Sequence, residues 1–177
     1  MEHVPLAPQL ESAVQNPLRE VALGIALLVL VIMFHGLCMR LINRRFNRSW
    51  SQVSVSTPLW KINLILSSVV TALAATHMIE SIAFVLPLVA LDILPSPRDA
   101  YFFALESYTT LGASSIRLPE EWRLLGPVIA MTGLFAFGWT GSVLVAVMAQ
   151  VNTIDRAQAK VQLKEQEATD ATDASKP

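Results

Sequence analysis

The stretch Y-T-T-L-G-A-S-S, residues 108–115, decides the fold of this chain. It lies between an apolar segment that ends near Leu91 and a second one that covers residues 124–151. The run that leads into it, residues 97–108, is too short to cross a bilayer, because a helical crossing takes about 20 apolar residues. Two long apolar spans around a short helix and a Thr-rich turn are typical of a loop that enters a membrane and leaves on the same side.

The amino-acid composition is typical of a membrane protein. Hydrophobic residues make up 53% of the 177 residues and charged residues only 15%, with a mean hydropathy of +0.49. Ordinary soluble domains carry about 25% charged residues. The net charge of −1 favours no nucleic-acid partner, and the lone Cys38 excludes an intrachain disulfide or a cysteine metal cluster.

Irregular backbone at membrane depth is tolerated only where it is buried in protein or lines water. Cation-selective pores use such backbone, because its carbonyl oxygens replace the hydration shell of the ion. The sequence therefore predicts an all-α membrane protein with three transmembrane helices, and a re-entrant pore helix and filter loop between the second and third. The alternative is an ordinary polar turn.

Hydropathy and charge divide the chain into five segments. The sequence predicts a Pro-containing, loosely ordered leader outside the membrane, an extra transmembrane helix, a basic linker, a channel-type pore domain and a partly disordered tail. These segments cover residues 1–17, 18–39, 40–61, 62–151 and 152–177. The tail is predicted to be disordered because, after a few basic residues, it is rich in Ala, Thr and Asp.

The charges of the loops predict the orientation. The linker carries Arg40, Arg44, Arg45, Arg48 and Lys61 and no acidic residue, and short basic loops stay on the cytoplasmic side. We therefore expect a multi-pass protein of the cell (inner) membrane, with its N-terminus outside and its C-terminus in the cytoplasm. The four arginines either bind anionic lipid head groups or serve only to set the topology.

A family resemblance rests on three features of the pore segment. T-T-L-G at residues 109–112 is followed by W-R-L-L-G at residues 122–126 and by a Gly-rich last helix. Together they resemble the pore domain of the bacterial two-transmembrane potassium channel superfamily, over residues 62–150. The resemblance implies a homotetramer in which each subunit contributes one filter strand of the pattern T-V-G-Y-G-D, with K⁺ or Na⁺ permeant and no cofactor.

The filter departs from that pattern after Gly112. Thr109, Thr110, Leu111 and Gly112 fit the inner part, and the outer part is changed at three positions: Ala113 replaces Tyr, Ser114 replaces the second Gly, and Ser115 replaces Asp. A Ser in the left-handed conformation that the pattern gives to Gly costs about 1–2 kcal/mol. We therefore expect the outer ion sites to be lost and the filter to discriminate weakly between K⁺ and Na⁺.

Two residues of the short helix are predicted to support the filter from behind, Glu106 and Tyr108. Glu106 precedes Thr110 by four residues, about one helical turn. Because Ser115 stands where the family has Asp, Glu106 either forms hydrogen bonds behind the filter or pairs with Arg117. The alternative is an acidic residue on the helix surface that faces a water-filled vestibule.

His77 and Glu80 lie in the middle of the second span, three residues apart and so on one helix face. Ionisable groups at this depth are costly and face protein or water. They form a proton-sensitive brace to the pore helix, a proton relay, or only a structural hydrogen bond between helices. Because two ligands leave a coordination shell unfilled and no third candidate lies nearby, no metal site is predicted.

Gly133 and Gly138 in the last span are either gating hinges or sites of close helix packing.

The function that the sequence favours is a pore-forming subunit of a cation channel. A pore-fold protein that does not conduct and acts as an assembly partner is the second hypothesis. An enzyme or proton-coupled transporter built on His77 and Glu80 is the weakest, because the sequence offers no nucleophile, metal or substrate motif and hence no catalytic residue.

The topology can be tested by cysteine labelling from either side of the membrane. In Ser12→Cys and Ser115→Cys variants the new thiol should react with an impermeant reagent added outside. In Ser51→Cys and Ser175→Cys variants it should react only from the cytoplasmic side, because the basic linker and the tail stay inside. The unsubstituted chain, with Cys38, gives the background, and labelling of position 51 from outside would overturn the orientation.

Overall fold

The computed structural model describes the backbone of residues 6–112 and 116–174, and the side chains of residues 18–112, 116–168 and 170–171. Over these residues the regular structure is entirely helical. Four α-helices and one turn of 3-10 helix follow each other along the chain. In order they are α1 (Leu6–Trp50), α2 (Leu59–Ala90), α3 (Pro97–Tyr108), the 3-10 turn Glu120–Trp122, and α4 (Leu125–Ala174).

Within the described residues, three of these helices, α1, α2 and α4, are long and apolar enough to cross a membrane. In their most apolar windows only 22%, 39% and 22% of the residues are buried inside the chain. Side chains such as Met33, Leu86 and Val145 remain 71%, 69% and 71% exposed. So much contiguous apolar surface requires lipid or another protein to cover it. The prediction of an all-α protein with three membrane-spanning helices is confirmed at this level.

The helices extend beyond the predicted spans at both ends of the chain. α1 begins at Leu6, within the leader that was predicted to be loosely ordered, and ends at Trp50, inside the predicted linker. α4 continues to Ala174, through the tail that was predicted to be partly disordered. Residues 152–174 contain neither Gly nor Pro. Extending an existing helix avoids the costly nucleation step, which favours a helix in a tail of this composition.

The chain forms two compact units, the first from residues 1–39 and 74–139 and the second from residues 40–73 and 140–177. In the first unit, α3 is at the centre of the apolar core. Its residues Ala100, Phe103, Ala104 and Tyr108 are buried and share one helix face, following the i, i+3, i+4 pattern of an amphipathic helix. The two alanines have no exposed surface, so neighbouring helices pack close to the α3 backbone.

The start of α3 is fixed by its own sequence. Ser96 is the N-cap, and its hydroxyl accepts a hydrogen bond from the Asp99 N–H at 3.3 Å. Pro97 occupies the first turn, where its missing N–H is not needed. Asp99 lies in the first turn, where the helix dipole favours an acidic side chain.

Within the first unit, α1 and α4 run parallel in close contact. A Cβ on Gly24 would lie 3.1 Å from Val128, and a Cβ on Gly36 would lie 2.8 Å from the Trp139 ring. The Glu20 carboxylate accepts hydrogen bonds from the N–H groups of Leu124 and Leu125, the latter at 3.0 Å. An acidic group at this position satisfies free N–H groups of the α4 N-terminus and is stabilised by the helix dipole.

The second unit also buries apolar side chains. Its buried hydrophobic residues are Phe46, Ile62, Val69, Leu73, Val147 and Val151. The turn before α2 is attached to α4 by Gln158, whose side-chain amide donates to the carbonyl oxygens of Val55 and Thr57 at 3.0 and 2.9 Å. The arginines of the predicted lipid-binding cluster, Arg40, Arg44, Arg45 and Arg48, are all exposed.

Gly133 and Gly138 differ in what a side chain would meet. A Cβ on Gly133 would overlap the carbonyl oxygen of Tyr108, whereas a Cβ on Gly138 would have no atom within 4 Å. Gly133→Ala should therefore destabilise the fold by about 1–3 kcal/mol through overpacking. Gly138→Ala should leave stability unchanged or raise it slightly, because Ala favours the helix.

Thermal unfolding in detergent, followed by circular dichroism, compares the two variants with the wild type. Equal melting temperatures for the two variants would contradict the packing role of Gly133.

Candidate functional site

A cluster of four polar side chains lies buried in the first unit. It joins His35 of α1, His77 and Glu80 of α2, and Tyr108 of α3. The Glu80 carboxylate is 2.8 Å from His35 Nδ1 and accepts a hydrogen bond of 2.5 Å from the Tyr108 hydroxyl. His77 Nδ1 lies 2.9 Å from the Tyr108 hydroxyl and 3.6 Å from Glu80. We call these four residues the Glu80 cluster.

Both oxygens of the Glu80 carboxylate have a partner in this arrangement. Oε1 faces His35, and Oε2 faces Tyr108 and His77. Glu80 is only 1% exposed, and a buried carboxylate with no partner would be strongly destabilising. The predicted contact between the His77–Glu80 pair and the short helix is therefore present, while its proton sensitivity stays a prediction.

Aromatic rings enclose the Glu80 cluster. His77 stacks on Phe137 with ring centroids 4.4 Å apart, and Trp139 lies 5.6 Å from His35. Phe84 lies 6.4 Å from the Tyr108 ring. These rings limit the access of water, and electrostatic interactions inside such a shell are stronger than at a surface.

His35 was missed by the sequence analysis. It lies within the first apolar span, 45 residues from Glu80 along the chain, and it is fully buried. An ionisable residue at membrane depth is itself a signal of function, but this span was predicted to lie outside the pore unit. The statement that no third metal ligand lies near His77 and Glu80 was therefore wrong, because the fold brings His35 into contact with Glu80.

The C-terminus of α3 has a defined cap. Thr110 N–H bonds to the Ser107 carbonyl at 2.9 Å, and Leu111 N–H bonds to the Glu106 carbonyl at 3.0 Å. This pair of hydrogen bonds is a Schellman motif, which places one residue in the left-handed conformation. That residue is Thr110, with φ of 60°. A β-branched residue at this φ is an outlier.

The residues of the predicted inner filter follow this cap. Thr109, Thr110, Leu111 and Gly112 are all exposed, and Gly112 is also left-handed with φ of 63°. The remaining filter residues, Ala113, Ser114 and Ser115, lie outside the described residues.

Glu106 faces a cavity of about 580 Å³ beside α3. The side chain is 6% exposed, and its Oε2 has no hydrogen-bond partner among the described residues. Arg117 lines the same cavity, together with Glu120 and Arg123. Within the described part of the chain, Arg117 forms no ion pair with Glu106, so the predicted pairing is not made. Burial also argues against the alternative of a surface acid.

The two tyrosines of α3 offer a matched test of the Glu80 cluster. Tyr108→Phe removes the hydroxyl that donates to Glu80, and so leaves the carboxylate one hydrogen bond short. This should cost about 1–3 kcal/mol of stability. Tyr101→Phe should change stability little, because that hydroxyl makes only a 3.9 Å contact to the Met78 sulfur.

Both variants can be compared with the wild type by thermal unfolding in detergent. A melting temperature for Tyr108→Phe that is as high as that of Tyr101→Phe would contradict the structural role of the cluster.

The chain was compared with protein-family models, with curated proteins and with solved structures, and none of them matches it. Its function therefore has to be inferred from its own residues. The relevant features are the Glu80 cluster, the capped end of α3 and the cavity beside Glu106.

Proposed function

We propose that four copies of this chain form a cation-conducting pore in the cell membrane, permeable to K⁺ or to both K⁺ and Na⁺. In this proposal α3 is a re-entrant pore helix, and the loop after it lines the ion pathway. The observation that carries the proposal is the depth to which α3 extends along its neighbouring helices.

That depth follows from the contacts of Tyr108, the last residue of α3. Its hydroxyl bonds to Glu80, which lies ten residues before the end of α2 at Ala90. Its carbonyl packs on Gly133, eight residues after the start of α4 at Leu125. At 1.5 Å per residue these separations are about 15 and 12 Å. Either is close to half of a hydrocarbon core about 30 Å thick, as expected for a pore helix.

The strained backbone at Thr110 supports the same function. A Thr in the left-handed conformation costs about 1–2 kcal/mol relative to its usual state, and Gly would avoid this cost. Strain of this kind persists where the surrounding structure enforces it, and it concentrates at functional sites. In the proposal the enforcing elements are the α3 cap and the packing of Tyr108, which together fix where the filter strand begins.

Residues 109–112 are exposed and, at membrane depth, need other copies of the chain or water around them. Backbone at membrane depth has to face either protein or water, and within one chain the side chains of these four residues are exposed. Fourfold assembly around a water-filled axis would satisfy them, and it would also cover part of the apolar surface of α4. The resemblance of T-T-L-G to the filter of potassium channels supports this arrangement.

The test combines assembly and transport. Native mass spectrometry of the full chain in mild detergent should show a tetramer, and liposomes containing it should release K⁺ down a gradient. Thr110→Ala should slow the flux several-fold, since the hydroxyl and carbonyl of Thr110 would form the innermost ion site. Monomer or dimer alone would refute the proposal.

Selectivity is the second readout of the same preparation. Reversal potentials under a K⁺–Na⁺ gradient should show similar permeability for the two ions in the wild type. The triple variant Ala113→Tyr, Ser114→Gly, Ser115→Asp should shift the preference toward K⁺, because it restores the outer half of the pattern. Strong K⁺ selectivity in the wild type would contradict the expected effect of Ser114.

One observation favours the second candidate, a pore-fold protein that assembles but does not conduct. Thr109 donates its hydroxyl back to the Leu105 carbonyl at 2.8 Å, and the N–H groups of Thr110 and Leu111 are used in the α3 cap. The Thr109 hydroxyl is thus directed toward the helix rather than toward an ion, and the two N–H bonds hold the start of the loop against the end of α3. An intact tetramer that carries no flux, in the wild type and in the triple variant, would support this candidate.

The orientation and the lipid partners belong to the same proposal. Because short basic loops stay on the cytoplasmic side, the exposed cluster of Arg40, Arg44, Arg45 and Arg48 would lie at the cytoplasmic surface. Each such arginine near an anionic leaflet contributes about 1 kcal/mol of attraction. The permeation path itself needs no cofactor.

A further inference from the structure

We propose that His35, His77 and Glu80 bind one divalent transition-metal ion, with zinc as the reference ion. The Tyr108 hydroxyl or a water molecule would complete the coordination shell. This site is separate from the proposed ion pathway, and its test does not depend on whether the protein conducts.

The ligand atoms of His35, His77 and Glu80 already converge. One ligand atom from each of them lies within 4.8 Å of the other two. The Glu80 carboxylate is 2.8 Å from His35 Nδ1 and 3.6 Å from His77 Nδ1. Zinc bonds of about 2.0–2.1 Å to nitrogen and oxygen place neighbouring ligand atoms of a tetrahedral shell about 3.3 Å apart. Side-chain rotations that bring the ligand atoms from at most 4.8 Å to this spacing would therefore accommodate the ion.

The donor set favours a particular class of metal. Two imidazoles and one carboxylate suit zinc and its neighbours in the first transition series. Calcium and magnesium prefer shells made of oxygen atoms, which this cluster does not supply. Two histidines and one acidic residue are also the set that leaves a fourth position open in many zinc sites, and the Tyr108 hydroxyl lies 2.9 Å from His77 Nδ1 on that side.

Binding of a divalent ion at this site can be balanced in charge and in protons. A divalent ion beside the Glu80 carboxylate leaves one positive charge, which is neutralised when the fourth ligand is the Tyr108 phenolate or a hydroxide. In either case the proton of that ligand is released to water. The imidazoles bind as neutral rings, so any proton on their metal-binding nitrogens is also released.

The surroundings fit a structural ion. Phe137 and Trp139 pack on the two imidazoles, so the shell around the ligands is apolar and excludes water. The three ligands come from α1 and α2, and the fourth candidate comes from α3. An ion at this position would link these helices in the folded chain, and a ligand that binds only the folded state raises its stability.

The experiment uses the full chain in mild detergent, purified through a tag that contains no histidine. Metal content is measured by mass spectrometry before and after removal with a chelator, and again after zinc chloride is added and the excess removed. We expect one zinc ion per chain after loading, and a higher melting temperature for loaded than for stripped protein. Magnesium chloride should produce neither effect.

The variants His35→Gln, His77→Gln and Glu80→Gln each remove one ligand and should retain almost no zinc. Glu106→Gln is the matched control, because it changes another buried carboxyl group of the same unit and should bind one zinc ion as the wild type does. Tyr108→Phe shows whether the hydroxyl is the fourth ligand. If it is, zinc binding weakens; if water occupies that position, binding is unchanged and the three-ligand site stands.

Two results would overturn the proposal. The first is a stripped wild-type chain that takes up neither zinc, cobalt nor iron(II), a result that does not depend on the folding of any variant. The second is zinc uptake by the folded His35→Gln and His77→Gln variants equal to that of the wild type, which would place the metal elsewhere.

Discussion

The burial of the Glu80 carboxylate is the constraint on which the first unit depends. Removing a carboxylate from water costs several kcal/mol unless charged or hydrogen-bonding partners surround it. Here the partners come from two other helices, with His35 on α1 and Tyr108 on α3. The rotation of α1 about its axis and the depth of α3 are therefore coupled to one side chain of α2. A rotated α1 or a withdrawn α3 would leave the carboxylate unsatisfied.

Small residues make this arrangement sterically possible. In lipid the hydrophobic effect does not drive helices together, so close packing and hydrogen bonds have to. Gly133 accepts the Tyr108 carbonyl against the α4 backbone, and Gly36 accepts the Trp139 ring against α1. Because Trp139 and Phe137 also enclose the two histidines, the same contacts that pack the helices exclude water from the Glu80 cluster.

The polar groups on the two sides of α3 differ in whether they have hydrogen-bond partners. Toward α2 the carboxylate of Glu80 has a partner for each oxygen. Toward the cavity, Glu106 Oε2 has none among the described residues, and Thr110 at the end of the helix has a strained backbone. Violations of local rules are expected at functional sites and costly elsewhere. In the proposed pore, the ion pathway would therefore lie on the side of Glu106 and Thr110, whereas the contacts of Glu80 hold the helices together.

By itself the sequence determined the features that depend on local pattern. Runs of apolar residues predict the three long helices, and the short run of residues 97–108 predicts α3, because each of these is decided by neighbours in sequence. Only the tertiary structure decided the long-range pairs. His35 and Glu80 are 45 residues apart, and Glu20 is 105 residues from Leu125, whose N–H it accepts. No periodicity encodes such a pair, since it depends on the rotation and depth at which packed helices meet.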